Sequence, residues 1–131
     1  MLVKYQPVSG GSWTLLFDES AGDANEKFSP SFHDQVQIVS GYGAPNSIKV
    51  PLANTQGQLP LKWSSNYASA DAALTSIKTL RTTFKGVAVN LEVIQGAITT
   101  FFNNATLASS SHDLRGKECM HALTFNTDDI S

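Results

Sequence analysis

Cysteine is nearly absent: Cys119 is alone in 131 residues, so no disulfide can form within the chain, and disulfide-stapled secreted folds are excluded. Charge is scarce as well, at 15% Asp, Glu, Lys and Arg with a formal net charge of −2. Globular domains carry about 25%. Lys and Arg form no cluster, which removes the electrostatic footprint of a nucleic-acid binder and leaves no direct readout to expect. Long apolar runs are missing, so no membrane span is expected, and the opening Met1-Leu-Val-Lys-Tyr5 lacks the charged and apolar regions of a signal peptide. The expectation is a soluble chain made in a cytoplasm. Repeats, low-complexity stretches and linkers are missing too, so residues 1–131 read as a single globular domain.

Apolar residues, at 41%, are sufficient for a core. Ser, Thr, Asn and Gln are plentiful, and a neutral, hydroxyl-rich surface suits strands or a protein covered by neighbours. Trp13, Leu15 and Phe17 alternate with Thr14 and Leu16, which predicts an early strand. A polar stretch up to about Pro30, including Asp18, Glu19, Asp23 and Glu26, reads as a solvated loop. Val36 and Ile38 mark a half-buried strand, and 40–46 a Gly- and Pro-containing loop. Ile48, Val50 and Leu52 mark another strand, and Pro51 within it requires a short or edge strand because it cannot donate to a ladder. Gly57 is expected to break the chain before Leu59, Leu61 and Trp63.

The period then changes. Ala70, Ala73, Leu74, Ile77, Leu80 and Phe84 follow helical spacing, with Ser69 placed to cap, Asp71 and Lys78, Arg81 and Lys85 complementing the dipole, and Gly86 placed to stop the helix. A helix at about 69–85 is expected to pack through Leu74, Ile77, Leu80 and Phe84. Val87, Val89, Leu91 and Val93 return to period two, Gln95-Gly96 suits a tight hairpin, and 97–103 forms the return strand, kinked at Asn103-Asn104. Residues 109–116 read as a polar loop. Cys119, His121, Leu123 and Phe125 share one face of a final strand. The order predicts a mainly β (α+β) fold, either two packed sheets or a β-barrel, flanked by the one helix. An α+β sandwich with helical packing on one side is the competing layout.

Candidate chemistry is sparse. Cys119, His121 and His112, with His33 or an acid, could hold a metal, but paired ligand spacings are missing and the face continues into Leu123 and Phe125, so a core cysteine beside a half-buried histidine is preferred and no metal is expected. A Cys–His nucleophilic pair would need side chains about 7 Å apart along a strand to lean together. Gly10-Gly11-Ser12 precedes a strand and lacks the Lys-Ser/Thr of a phosphate loop. Asp128 and Asp129 read as solvent-facing, and the sequon at Asn104-Ala-Thr106 as accidental. No catalytic residue and no cofactor are expected. Trp63 and Tyr67, together with Tyr42 and Pro51, are the expected interface residues.

The stretch from Leu59 to Asn126 resembles tail proteins of long-tailed bacteriophages in its order of elements. These are the strand Leu59-Pro-Leu-Lys-Trp63, the Ser-capped helix from Ser69 to Arg81, the hairpin from Val87 to Gly96, the strand ending Asn104-Ala-Thr-Leu107, and the closing Leu123-Thr-Phe125. The resemblance implies a tail-tube- or distal-tail-like β-barrel or β-sandwich that forms or joins a ring, with copies of itself or other tail proteins as partners, in a virion or tail-like particle. It carries over no catalytic residue. The alternative is a monomeric carbohydrate-type binding module stacking sugars on Trp13, Trp63 or Tyr42.

Overall fold

A computed structural model describes residues 1–19, 24–28, 30–39 and 48–130, with only the backbone described for 24–28, 33–39 and 48–56. The elements in chain order are β1 (Leu2–Pro7), β2 (Thr14–Asp18), β3 (Ala24–Phe28), β4 (Ser31–Val39), β5 (Ile48–Asn66), α1 (Ala70–Phe84), β6 (Val89–Gln95), β7 (Ile98–Arg115), β8 (Glu118–Thr127) and β9 (Asp129–Ile130). All pairings are antiparallel, and the strands join in one nine-stranded sheet running β2-β1-β6-β7-β8-β5-β3, with β4 also on β5 and β9 on β7.

The mainly β fold with one helix is present, but the barrel alternative is corrected. The strand path ends at β2 and β3, which do not pair with each other, so the sheet is not closed by hydrogen bonds. It curls instead. Phe17 on β2 stacks on Trp63 of β5 with ring centroids 4.6 Å apart, although four strands separate them in the path. The apolar faces of the two halves therefore meet as packed layers, with Val3, Leu59, Leu61, Leu91, Phe102 and Phe125 between them.

The helix forms where its periodicity and caps place it. Ser69 is the N-cap, its Oγ accepting from the Ala72 amide at 3.1 Å, and the Lys85 amide closes the last turn on the Arg81 carbonyl at 2.9 Å. Its buried face is the expected one except at Leu74: Phe84 is fully buried, Leu80 packs on the core and Ile77 is half-buried, with fully buried Ala73 on the same stripe, while Leu74 is 44% exposed. Phe84 anchors that face. It meets Tyr5 of β1 at 5.0 Å and Phe125 of β8 at 5.3 Å, both edge-on, anchoring the last turn over the seam between the two halves.

Several sequence expectations fail for local reasons. The region read as a solvated loop contains β3, and 109–115 are strand although mostly exposed, because pairing with β8 satisfies a backbone whose side chains need no apolar alternation. β1, whose Val3 is buried, is a strand the sequence pattern left unread. Leu15 is 51% exposed despite sharing parity with Phe17, because a register shift inserts Leu16 between them and turns Leu15 outward. Gly57 does not break β5. A Cβ there would collide with the Ser31 carbonyl oxygen and lie 2.9 Å from Ile130 Cδ1, so this glycine permits close approach of β4 and β9. Gly96, at φ +62, turns the expected two-residue hairpin between Gln95 and Ile98.

Candidate functional site

The four expected interface residues fall in different settings. Trp63 is 2% exposed, held between Phe17 and His121, so its indole belongs to the core and does not face a partner. Tyr67 is half-buried, and its hydroxyl lies 2.8 Å from His121 Nε2. Pro51 lies on β5 opposite Val36 of β4. Tyr42 lies outside the described residues, and Trp13, proposed for sugar stacking, is half-exposed beside Phe101.

Around Pro51 the sheet narrows. β5 pairs with β8 only over 57–66 and with β3 only over 61–64, whereas β4 follows it from Ile48 to Gln58. Residues 48–56 thus run with β4 alone, and among the described residues no third strand flanks this two-stranded ribbon. At its base Phe32 is 55% exposed. Two strands without a third, or a covering helix, are marginal in water.

A groove of about 520 Å³ separates α1 from β1, β2 and the end of β5, lined by Tyr5, Leu15, Leu16, Tyr67, Thr79 and Leu80 among others. The outward side chains of the helix include four threonines around Lys78. Thr75, Thr79, Thr82 and Thr83 each donate their hydroxyl to the carbonyl four residues back, at 2.8–3.0 Å. Their polar atoms are satisfied within the helix, leaving methyl groups for solvent or a neighbour.

The structure also brings together His112, Cys119 and His121, which the sequence grouped as possible metal ligands but read as a core cysteine beside a half-buried histidine. Two irregularities in β7 do this. Asn104 adopts φ 51 and its amide donates to Asn90 Oδ1, kinking the strand at the expected place as it passes from β6 to β8. A second register shift inserts Ala108 between Leu107 and Ser109. Without that extra residue His112 would oppose Met120 on the outer face; with it, His112 opposes His121 on the buried face. The two Nδ1 atoms lie 2.7 Å apart, and Cys119 Sγ is 3.8 Å from His121 Nδ1, because the side chains lean together well inside the strand spacing. Cys119 and His121 are fully buried, and His112 is half-buried with Nε2 lacking a hydrogen-bond partner. Burial lowers the His112 pKa and the Arg81 charge lowers it further, so His112 is neutral at neutral pH. Burial, then the Asp113 carboxylate, pushes the Cys119 thiol up, keeping it protonated. A buried thiol whose pKa is raised is the weaker nucleophile, since the thiolate is the reactive form.

Among the described residues no helix is long and apolar enough to cross a membrane. No protein-family model matches the chain, and no curated protein matches it in sequence. Among solved structures the chain is similar over its whole length to a chain from the tail of an empty GTA particle with C6 symmetry, covering 93% of that chain at a TM-score of 0.54 and 13% identity. The resemblance to phage-like tail proteins, first drawn from element order in about half the chain, thus extends to the fold of the entire chain.

Proposed function

We propose that the chain is a structural subunit of a phage-like tail, assembling with copies of itself, or with related tail proteins, into a six-fold ring within a tail-like particle. The full-length likeness to a chain of a C6-symmetric tail carries this reading. Two physical features support it. The ribbon formed by β4 and the first half of β5 has, among the described residues, an edge without a strand partner that a neighbouring subunit can pair. The threonines of α1 present hydroxyls satisfied within the helix and methyls around Lys78, so a neighbour that covers them need not supply partners for those hydroxyls. Closed cyclic symmetry satisfies identical head-to-tail contacts without open-ended growth within the ring. The role needs no catalytic centre.

Light scattering across a concentration series, followed by electron microscopy, tests this. The expected result is a species of six times the 14.1 kDa chain mass that appears as a ring. A chain that stays monomeric at high concentration, alone and with neighbouring tail proteins, and that binds a glycan through Trp13 contradicts it in favour of the binding module.

A further inference from the structure

His112, Cys119 and His121 offer three ligand atoms that all lie within 4.8 Å of one another. Two imidazoles and a thiol are the donor types that hold zinc or cobalt(II), whereas magnesium and calcium require oxygen. All three project from the β7–β8 hairpin, whose continuous pairing from Ser109 with Thr124 to Arg115 with Glu118 fixes their positions on a ladder and not on a loop.

We infer that His112, Cys119 and His121 form a binding site for a zinc-class divalent ion, with Tyr67 as the residue that orients His121. A tetrahedral ion held at about 2.0–2.1 Å from nitrogen and about 2.3 Å from sulfur sets its ligand nitrogens roughly 3.3 Å apart and nitrogen and sulfur roughly 3.6 Å apart. The observed separations of 2.7 Å between the histidines and 3.8 Å from sulfur to His121 require the rings to part and the thiol to close by fractions of an ångström, while sulfur and His112, within 4.8 Å, must approach by about 1 Å. Side-chain rotation supplies that without moving either strand.

When His121 binds through Nδ1, its proton resides on Nε2 and is donated to the Tyr67 hydroxyl at 2.8 Å, the outer contact that fixes tautomer and ring angle in metal-bound histidines. The balance is simple: the Cys119 thiol loses one proton to solvent as its sulfur bonds the ion, no electrons move, and the two imidazoles bind in their neutral form. The site then carries one net positive charge, which the Asp113 carboxylate near Cys119 favours and Arg81 near His112 opposes. Water fills the fourth position, on the half-exposed side of His112. The inference is independent of ring assembly.

The test is titration of untagged, reduced protein with cobalt(II), then with zinc. The expected result is one cobalt per chain, a thiolate-to-cobalt charge-transfer band in the near ultraviolet, release of about one proton, and displacement by zinc. Cys119→Ser removes the band. Tyr67→Phe retains it but weakens affinity about 10–100-fold. Lys78→Gln, a change on the exposed face of α1, leaves both unaltered. Wild-type protein that shows no charge-transfer band, or a Tyr67→Phe variant that binds as tightly as wild type, overturns the assignment. These two readouts decide the matter even if circular dichroism shows that Cys119→Ser fails to fold.

Discussion

The two halves of β5 make an instructive pair. Residues 57–66 lie between β8 on one edge and β3 and the start of β4 on the other, with Leu59, Leu61 and Trp63 buried in the core. Residues 48–56 continue the same strand with β4 alone beside them. One half derives its stability from burial, roughly 1.5–3 kcal/mol for each large apolar side chain. The other has main-chain pairing along one edge and, among the described residues, none along the other. A continuous strand thus links a layer paired on both edges to a ribbon paired on one.

Substitutions in the first region should be costly. Phe125→Ala empties a fully buried site against Phe84, and a loss of about 3–5 kcal/mol is expected in urea melts of the unassembled chain. Leu80→Ala, on the half-buried helix face, should cost about 2 kcal/mol, while Leu74→Ala on the exposed face should cost less than about 0.5 kcal/mol. Equal costs at the two positions would mean that the helix face is misassigned. At the junction between the halves, Gly57→Ala forces a methyl against the Ser31 carbonyl and should cost about 1–3 kcal/mol. Amide exchange should then rise first in β4.

The smallest expected effect concerns pH. The His112 pKa in the folded state lies below its ordinary value of 6.5, so the unfolded chain takes up the proton first as pH falls. The stability due to neutral His112 is fully present above about pH 6.5 and is lost as pH falls through that value toward the folded-state pKa. His112→Gln should flatten that part of the stability profile of metal-free protein. An unchanged slope would assign the titration to another group.

The helix was legible because Ser69, Asp71, Arg81 and the apolar spacing all act within a few residues of one another. So were the hairpin at Gly96 and the kink at Asn104, each set by local backbone chemistry. What stayed hidden depends on partners distant in sequence. The role of Gly57 exists only because Ser31 and Ile130 come close to it. Polar residues 109–115 become strand because β8 pairs with them, and β3 because β5 does. Trp63 looked like an interface anchor until Phe17, 46 positions earlier, was found stacked upon it. Cys119 and His121 were legible on one strand face, but the place of His112 beside them was not, since a single inserted residue, Ala108, decides which face His112 occupies.

Hydrogen exchange measured residue by residue, in the dilute chain and in the assembled state, tests the central claim most directly. The account predicts strong protection of 57–66 in both states, and weak protection of 33–39 and 48–56 in the dilute chain that rises at least about tenfold on assembly, as expected when strand edges gain partners. Ribbon amides as protected in the monomer as those of 57–66, or unchanged when the chain assembles, would contradict it.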